Sequence, residues 1–260
     1  MLLHVNATFA ALLATLLALA TGVVAVARLG RPRDTLFAGA RAAVQLVAVS
    51  LAIGWVVRAV PLLLCFLLLM YAVAVRTAGR RVVPAPGRAW LWTAVPIGAA
   101  VLPVVVALLL TGVVPPEGIA LVPVTGILIG GALVPVTGIL IGGALTATVL
   151  AGRRSLDELA TRRGEVEAGL ALGLTDREAR MEVAREAASD ALLPGMDQTR
   201  TVGLVTLPGA FVGMLLGGAS PLHAGAVQLF VLVALLLVQA VATAVTLELV
   251  TRGRLARAEP

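Results

Sequence analysis

Long apolar runs alternate with short arginine-bearing connections along most of the chain. A helix needs about 20 apolar residues to cross a bilayer. Runs near that length lie at about 5–27, 36–57, 61–75, 89–113, 118–152, 202–216 and 224–250. They are continuous rather than alternating, which favours helices over a β-barrel. The predicted fold is an all-α polytopic integral membrane protein with about seven transmembrane helices. A cleaved signal peptide is the alternative for the first run. Its start carries no positive charge, and the run is too long for one.

The one long polar interruption is 153–200, with eight Arg and ten Asp/Glu out of 34 charged residues in the chain. Elsewhere Arg28, Arg31 and Arg33 follow the first run, and Arg76, Arg80, Arg81 and Arg88 follow the third. Arg252, Arg254 and Arg257 follow the last. Opposite-side connections carry only Arg58, Glu117 and His223. Seven crossings put every arginine-rich loop on one side, which the positive-inside rule makes cytoplasmic. The N-terminus is then outside, the C-terminus inside, and 153–200 is a cytoplasmic helical segment within a single membrane domain, 1–260.

Composition narrows the function. Hydrophobic residues make up 60% of the chain and charged residues 13%, with mean hydropathy +1.03. A soluble fold of this size could not hide that much apolar surface. All 20 basic residues are Arg, so a G-x-x-x-x-G-K-[ST] nucleotide loop is impossible. The sequence pI of about 11.3 reflects arginines at membrane edges, and no nucleic-acid partner is expected. Cys65 is the sole cysteine, and no Cys/His cluster has zinc spacing.

Residues 121–132 and 133–144 both read LVPVTGILIGGA. As a single helix the uncharged run 118–152 spans about 52 Å, against a hydrocarbon core of about 30 Å. One overlong crossing, broken near Pro135 or the Gly130/Gly131 pair, keeps the arginines on one side. The alternative is a re-entrant element lining a cavity.

Within the polar segment, Ser155 with Glu158 and Thr175 with Glu178 fit capping boxes. They predict helices over 156–173 and 176–192, with an apolar tip, GLALGLT, at the junction. Exposed apolar residues rimmed by charge suit a docking knob. Glu167-Ala168-Gly169 followed by Gly173 resembles the E-A-A-x-x-x-G loop of bacterial ABC-transporter permeases. That resemblance implies a coupling helix seated in an ATPase cleft, carried by Glu167, Ala168, Gly169, Gly173 and Leu174. Gly169 replaces the second Ala, and Leu193-Pro194 lies further downstream than in that loop.

A wider match is carried by RAAVQLV at 41–47, LTAT at 145–148, EVEAGLALGLTDREA at 165–179 and MDQTRTVGLVTLPGAFVGMLLGGASP ending at Pro221. Together these resemble the FetB-type family of iron-export ABC permeases, in order along nearly the whole chain. The resemblance implies a plasma-membrane permease subunit that exports iron or a related metal. It further implies a homodimer paired with separate ATPase subunits that bind the ATP, and no cofactor on this chain. Plant relatives in that family are linked to aluminium tolerance. Gly142-Gly143 stands where the family reads Gly-Asn, and the tandem repeat lies outside its pattern.

Several polar residues fall inside the runs. Arg41 and Gln45 share a helix face; Arg41 either faces a protein interior or snorkels to the edge. If interior, it pairs with a carboxylate such as Asp197 or Glu248. Gln228 and Gln239 suit interhelical hydrogen bonds. Thr206-Leu207-Pro208-Gly209 breaks the sixth run, and such breaks mark transport sites. Arg41, Gln45, Asp197, Thr199, Arg200, Pro208 and Gly209 are therefore the candidates for pathway or gating. Met196 and Met214 are read as packing, and His4 and His223 fall near the outer face. The metal ligands are not identified, and no catalytic constellation appears. The expected role is transport, with hydrolysis on a partner chain; a gradient-driven carrier or channel and a membrane scaffold or sensor are the alternatives.

Overall fold

The computed structural model describes residues 7–26, 32–56, 60–83, 89–110 and 122–256. The chain divides into two compact units, 1–56 and 57–260. The first holds α1 (Ala7–Val26) and α2 (Pro32–Val56). Pro32 opens α2 and Asp34 sits in its first turn, where fixed φ and negative charge both suit a helix start. The two helices pack closely at Gly39, where a Cβ would crowd the side chain of Leu17.

The second unit contains α3 (Val60–Val82), a 3-10 turn (Ala89–Thr93), α4 (Ala94–Leu110) and α5 (Val122–Thr161). Next come α6 (Arg163–Ala171), α7 (Asp176–Ser189), a second 3-10 turn (Asp190–Leu192) and α8 (Leu193–Thr201). α9 (Gly209–Leu216) and α10 (Pro221–Thr251) complete it. Among the described residues four helices are long and apolar enough to cross a membrane: Pro61–Val82, Ala89–Ala107, Pro135–Thr161 and Pro221–Thr251. The all-α polytopic architecture is as the apolar runs predict.

α5 and α10 form the centre of this unit. Glycines bring the helices together, as is usual where apolar side chains gain little by leaving lipid. Gly143 lies under Leu235 of α10, and Gly152 packs on Val82 of α3 and near Thr246 of α10. Ile97, Leu140, Ala144, Val238 and Ala242 fill the core between them. The hydroxyl of buried Thr93 bonds the carbonyls of Val75 (3.0 Å) and Trp90 (2.7 Å), tying the first 3-10 turn to α3. The Gly152 contacts put the C-terminal ends of α3, α5 and α10 at one end of the unit. Arg80, Arg81, Arg153, Arg154 and Arg252 therefore cluster there, the end that the arginine pattern assigns to the cytoplasm.

Several boundaries differ from expectation. The third run continues as helix to Val82, so Arg76, Arg80 and Arg81 are helical rather than in a loop. The expected break is absent: α5 is a single helix of 40 residues that runs through Gly130, Gly131 and Pro135, and its part long and apolar enough to cross a membrane is Pro135–Thr161. Proline removes one hydrogen bond and clashes with the preceding turn, yet membrane helices tolerate it when neighbours hold the rest. The capping box at Ser155 is absent. Ser155 lies inside α5, fully buried, with no hydrogen-bond partner for its hydroxyl. The burial of Ala151 and Gly152 against neighbouring helices holds this turn helical, and packing overrides the local cap signal. The predicted helix 156–173 is instead the last turn of α5 and a separate α6, parted at Arg162 (φ −105, ψ 36).

Candidate functional site

The segment after α5 is a helical hairpin. α6 ends in a Schellman arrangement, with Leu174 N–H on Gly169 C=O (3.1 Å) and Gly173 N–H on Leu170 C=O (3.0 Å). Gly173 takes φ +91, a left-handed conformation that side-chain-bearing residues reach only at a cost. Gly169 is buried, and a Cβ there would press on Ala179 (3.1 Å) and Leu174 (3.3 Å). Both glycines of the predicted motif thus serve the turn itself. Glu167 is exposed and 4.0 Å from Arg163, and Ala168 is exposed beside it.

The turn presents apolar side chains to solvent. Leu172 is 86% exposed, and Leu170 and Leu174 are 42% and 41% exposed. α7 then begins with the predicted capping box. Thr175 Oγ1 accepts from Glu178 N–H (3.3 Å), and Glu178 Oε2 accepts from Thr175 N–H (2.9 Å). These bonds favour the ionised carboxylate and hold Glu178 below the usual glutamate range. At the other end of α6, Arg162 binds Glu165 and Glu158; the Glu165 bond, then the Glu158 bond, raises the guanidinium pKa.

The hairpin base is fixed to the membrane helices. Ala184, Ala188 and Ala191 are buried against Ala151 of α5 and Leu247 of α10. Arg177 makes a two-pronged bond to Glu248 of α10 (2.8 and 2.7 Å), and Arg252 shares that carboxylate (2.5 Å). Arg154 of α5 pairs with Asp190. Sequence reasoning missed these ties because they join residues far apart in the chain. The alanine spacing 184, 188, 191 is the one local sign that α7 has a packed face.

Beyond the hairpin, the chain travels back along α10. Gly195 of α8 lies against the Gln239 side chain, with no room for a Cβ. Further on, Val202, Gly203, Leu207, Pro208 and Phe211 line a cavity of about 180 Å³ with Gln228 and Leu232 of α10. Gly225 borders the same cavity, and 239 to 225 is about 21 Å of helix at 1.5 Å per residue. The sixth run is thus interrupted, as expected: α8 ends at Thr201, a non-helical link covers 202–208, and α9 begins at Gly209. The break is wider than Thr206–Gly209 and begins at Val202. A bridge joins Val202 to Thr206, Gly203 takes φ +80, and the Thr201 carbonyl accepts from Leu204, Val205 and Thr206. Pro208 N-caps α9 without a side-chain bond, and Gly209 is its first residue.

Of the remaining pathway candidates, Arg41 and Gln45 belong to the first unit and the others to the second. Arg41 and Gln45 are exposed on α2. The counter-ions suggested for Arg41 are engaged elsewhere: Asp197 faces Arg200 (3.5 Å), and Glu248 holds Arg177 and Arg252. Thr199 back-bonds to the Gly195 carbonyl (2.9 Å). Gln228 and Gln239 are buried, but neither carboxamide oxygen has a partner, so the interhelical bonds expected of them are not made by these atoms. Among the described residues no three His, Cys, Asp or Glu side chains gather as a metal site. His4 lies outside the described residues; His223 donates its backbone N–H to the Ser220 cap (3.3 Å).

An all-helical unit in which, among the described residues, four helices are long and apolar enough to cross a membrane defines a multi-pass helical membrane protein. The profile of an uncharacterised protein family (UPF0014) matches residues 8–134 and again 131–254, and the chain belongs to that family. The match divides within the tandem repeat, as it would if the family pattern contains the 12-residue unit once. The UPF0014 membrane protein STAR2 of Oryza sativa subsp. japonica is 34% identical over 222 residues, 82% of this chain and 73% of that protein. Protein ALUMINUM SENSITIVE 3 of Arabidopsis thaliana is 32% identical over 180 residues, 69% of this chain and 58% of that protein. The "Probable iron export permease protein FetB" of Escherichia coli (strain K12) is 32% identical over 101 residues, 39% of this chain and 38% of that protein. No solved structure matches the chain.

Proposed function

We propose that the chain is the permease subunit of an ABC-type exporter in the plasma membrane. On this reading it forms one permease domain, works as a homodimer, and draws its energy from a separate ATPase subunit that binds the ATP. Iron or a related metal is the proposed cargo, supported by the name of the Escherichia coli relative. The observation that carries the reading is the exposed leucine tip, Leu170, Leu172 and Leu174, on a hairpin whose base is bound to α5 and α10. Together the three leucines form an apolar patch at the apex, bordered by the charged residues of α6 and α7, which suits docking to a partner.

In this mechanism the tip, with Glu167, Ala168, Gly169, Gly173 and Leu174, sits in a cleft of the ATPase. Closure of the ATPase pair presses on the tip. The movement passes through α7 and the 190–192 turn into α8, which carries Asp197, Thr199 and Arg200. The link before Pro208 and Gly209 absorbs it and opens or closes the pathway; Arg41 and Gln45 of α2 are pathway candidates on the sequence pattern alone.

Leu172→Asp tests the reading better than a change at Gly173, whose φ of +91 makes any side chain a folding problem. The variant should retain its thermal stability in detergent, lose co-purification with the ATPase and fail to stimulate ATP hydrolysis. A stable Leu172→Asp permease that still stimulates its ATPase would refute the coupling role. Iron(II) efflux from proteoliposomes holding both subunits tests the cargo separately.

A further inference from the structure

The exposed side of α3 carries a second feature. Leu62, Cys65, Leu69, Val73, Arg76 and Arg80 follow one another at three- and four-residue spacing, so they form one stripe on the helix. All six are exposed. The stripe is apolar for its first three turns and ends in two arginines one turn apart.

Those arginines differ from most others at this end. Arg154, Arg162, Arg177, Arg180, Arg200 and Arg252 each hold a carboxylate. Arg76 and Arg80 have no acidic partner among the described residues. Their depth is marked by tryptophan. Gly79, next to Arg80, lies under Trp90, where a Cβ would come 2.6 Å from the indole Cβ. Trp92 is 38% exposed with the Arg254 guanidinium 5.1 Å from its ring centre. Tryptophan concentrates at the headgroup level of a bilayer, which supports a phosphate-level position for Arg76 and Arg80.

We propose that this face of α3 binds an anionic phospholipid, with an acyl chain along Leu69 and Val73 and the phosphate between Arg76 and Arg80. Charge complementarity selects this occupant. A second copy of the chain laid on the same stripe would desolvate two guanidinium groups unless it brought acids to meet them. Arginine also suits the phosphate geometrically, because its planar fork can bond two oxygens at once. The inference concerns binding and does not depend on what the protein transports.

Native mass spectrometry of the full chain in neutral detergent, titrated with phosphatidylglycerol or phosphatidylcholine, tests it. At about 1 kcal/mol for each basic residue near an anionic surface, two arginines correspond to roughly a thirtyfold preference for phosphatidylglycerol. The preference should vanish in the Arg76→Gln/Arg80→Gln variant, survive largely in Arg76→Lys/Arg80→Lys, and persist in Arg185→Gln, which removes an exposed charge on α7. Equal uptake of the two lipids by the unmodified chain overturns the proposal, as does an equal loss in Arg185→Gln. Competition by inorganic phosphate as strong as by the lipid would make it a plain anion site. Conversion of a dimer to monomers by the double glutamine change, with lipid preference intact, would assign the face to a second copy.

Discussion

The hairpin over 163–189 and the interrupted segment over 193–216 lie close in sequence but are built in opposite ways. In the hairpin, both helix junctions are closed by specific bonds, Arg177 and Arg180 are paired with carboxylates, and Ala179, Val183, Ala184 and Ala188 are buried. α9, by contrast, has no buried residue, and its N-terminus lacks a side-chain cap. Seven residues before it leave helical geometry, with three N–H groups converging on the single Thr201 carbonyl. A lever needs the first kind of structure and a joint needs the second. Regions with few buried apolar contacts open at lower free energy than packed ones, so displacement of the hairpin would be taken up in the link rather than within the lever.

The largest expected effect lies where the two regions meet. Gly195 has no space for a Cβ beside Gln239, so Gly195→Ala should destabilise the unit by about 1–3 kcal/mol through overpacking. Thermal unfolding in detergent measures this, and Gln239→Ala in the same chain should restore part of the loss. An additive double variant would show that the two residues do not touch. A smaller effect is expected at the tip. Gly173→Ala should cost roughly 1–2 kcal/mol, because a Cβ at φ +91 meets its own backbone. Faster proteolysis confined to the 172–175 turn would show that the lever, not the joint, has loosened.

The smallest effect concerns pH. Glu178 is held below its ordinary value in the folded hairpin, first by the Thr175 backbone N–H and then by the Thr175 hydroxyl. A depressed folded value means its contribution is present above the unfolded pKa of about 4.3 and is lost as pH falls through the lower folded value. The hydrogen-exchange protection factor at the start of α7, the slowing relative to an unstructured peptide at the same pH, should therefore fall below about pH 4, and Glu178→Gln should flatten that dependence. An unchanged profile in the variant would assign the pH response to another group.

The same pair of regions shows what was legible in the chain. Thr175 with Glu178 forms the predicted cap because the turn before it is exposed and local bonds decide its geometry. Ser155 with Glu158 has the same pattern and forms none, because Ala151 and Gly152 are buried and hold the helix straight through. The break near Pro208 could be read from Thr-Leu-Pro-Gly. Its start at Val202 depends on α8 lying along α10, a long-range contact with no local signature. Arg177 with Glu248, 71 residues apart, was hidden for the same reason. Arginine counting, in contrast, anticipated the clustering of three helix ends, since it reflects a constraint on the whole chain rather than on one turn.

The repeat within α5 has a consequence in heredity. Removing 121–132 or removing 133–144 leaves the same polypeptide, in which Ala120 is followed by one LVPVTGILIGGA and then Leu145. The duplication can thus be undone in one contraction, whichever copy is lost, with no scar at the junction. A harmful substitution in either copy can be discarded along with that copy, while the other supplies the ancestral text. Until the two diverge, neither is the original and neither the insert. Selection can first tell them apart through the surroundings of the second copy, where Leu140, Ile141 and Ala144 are already buried in the core.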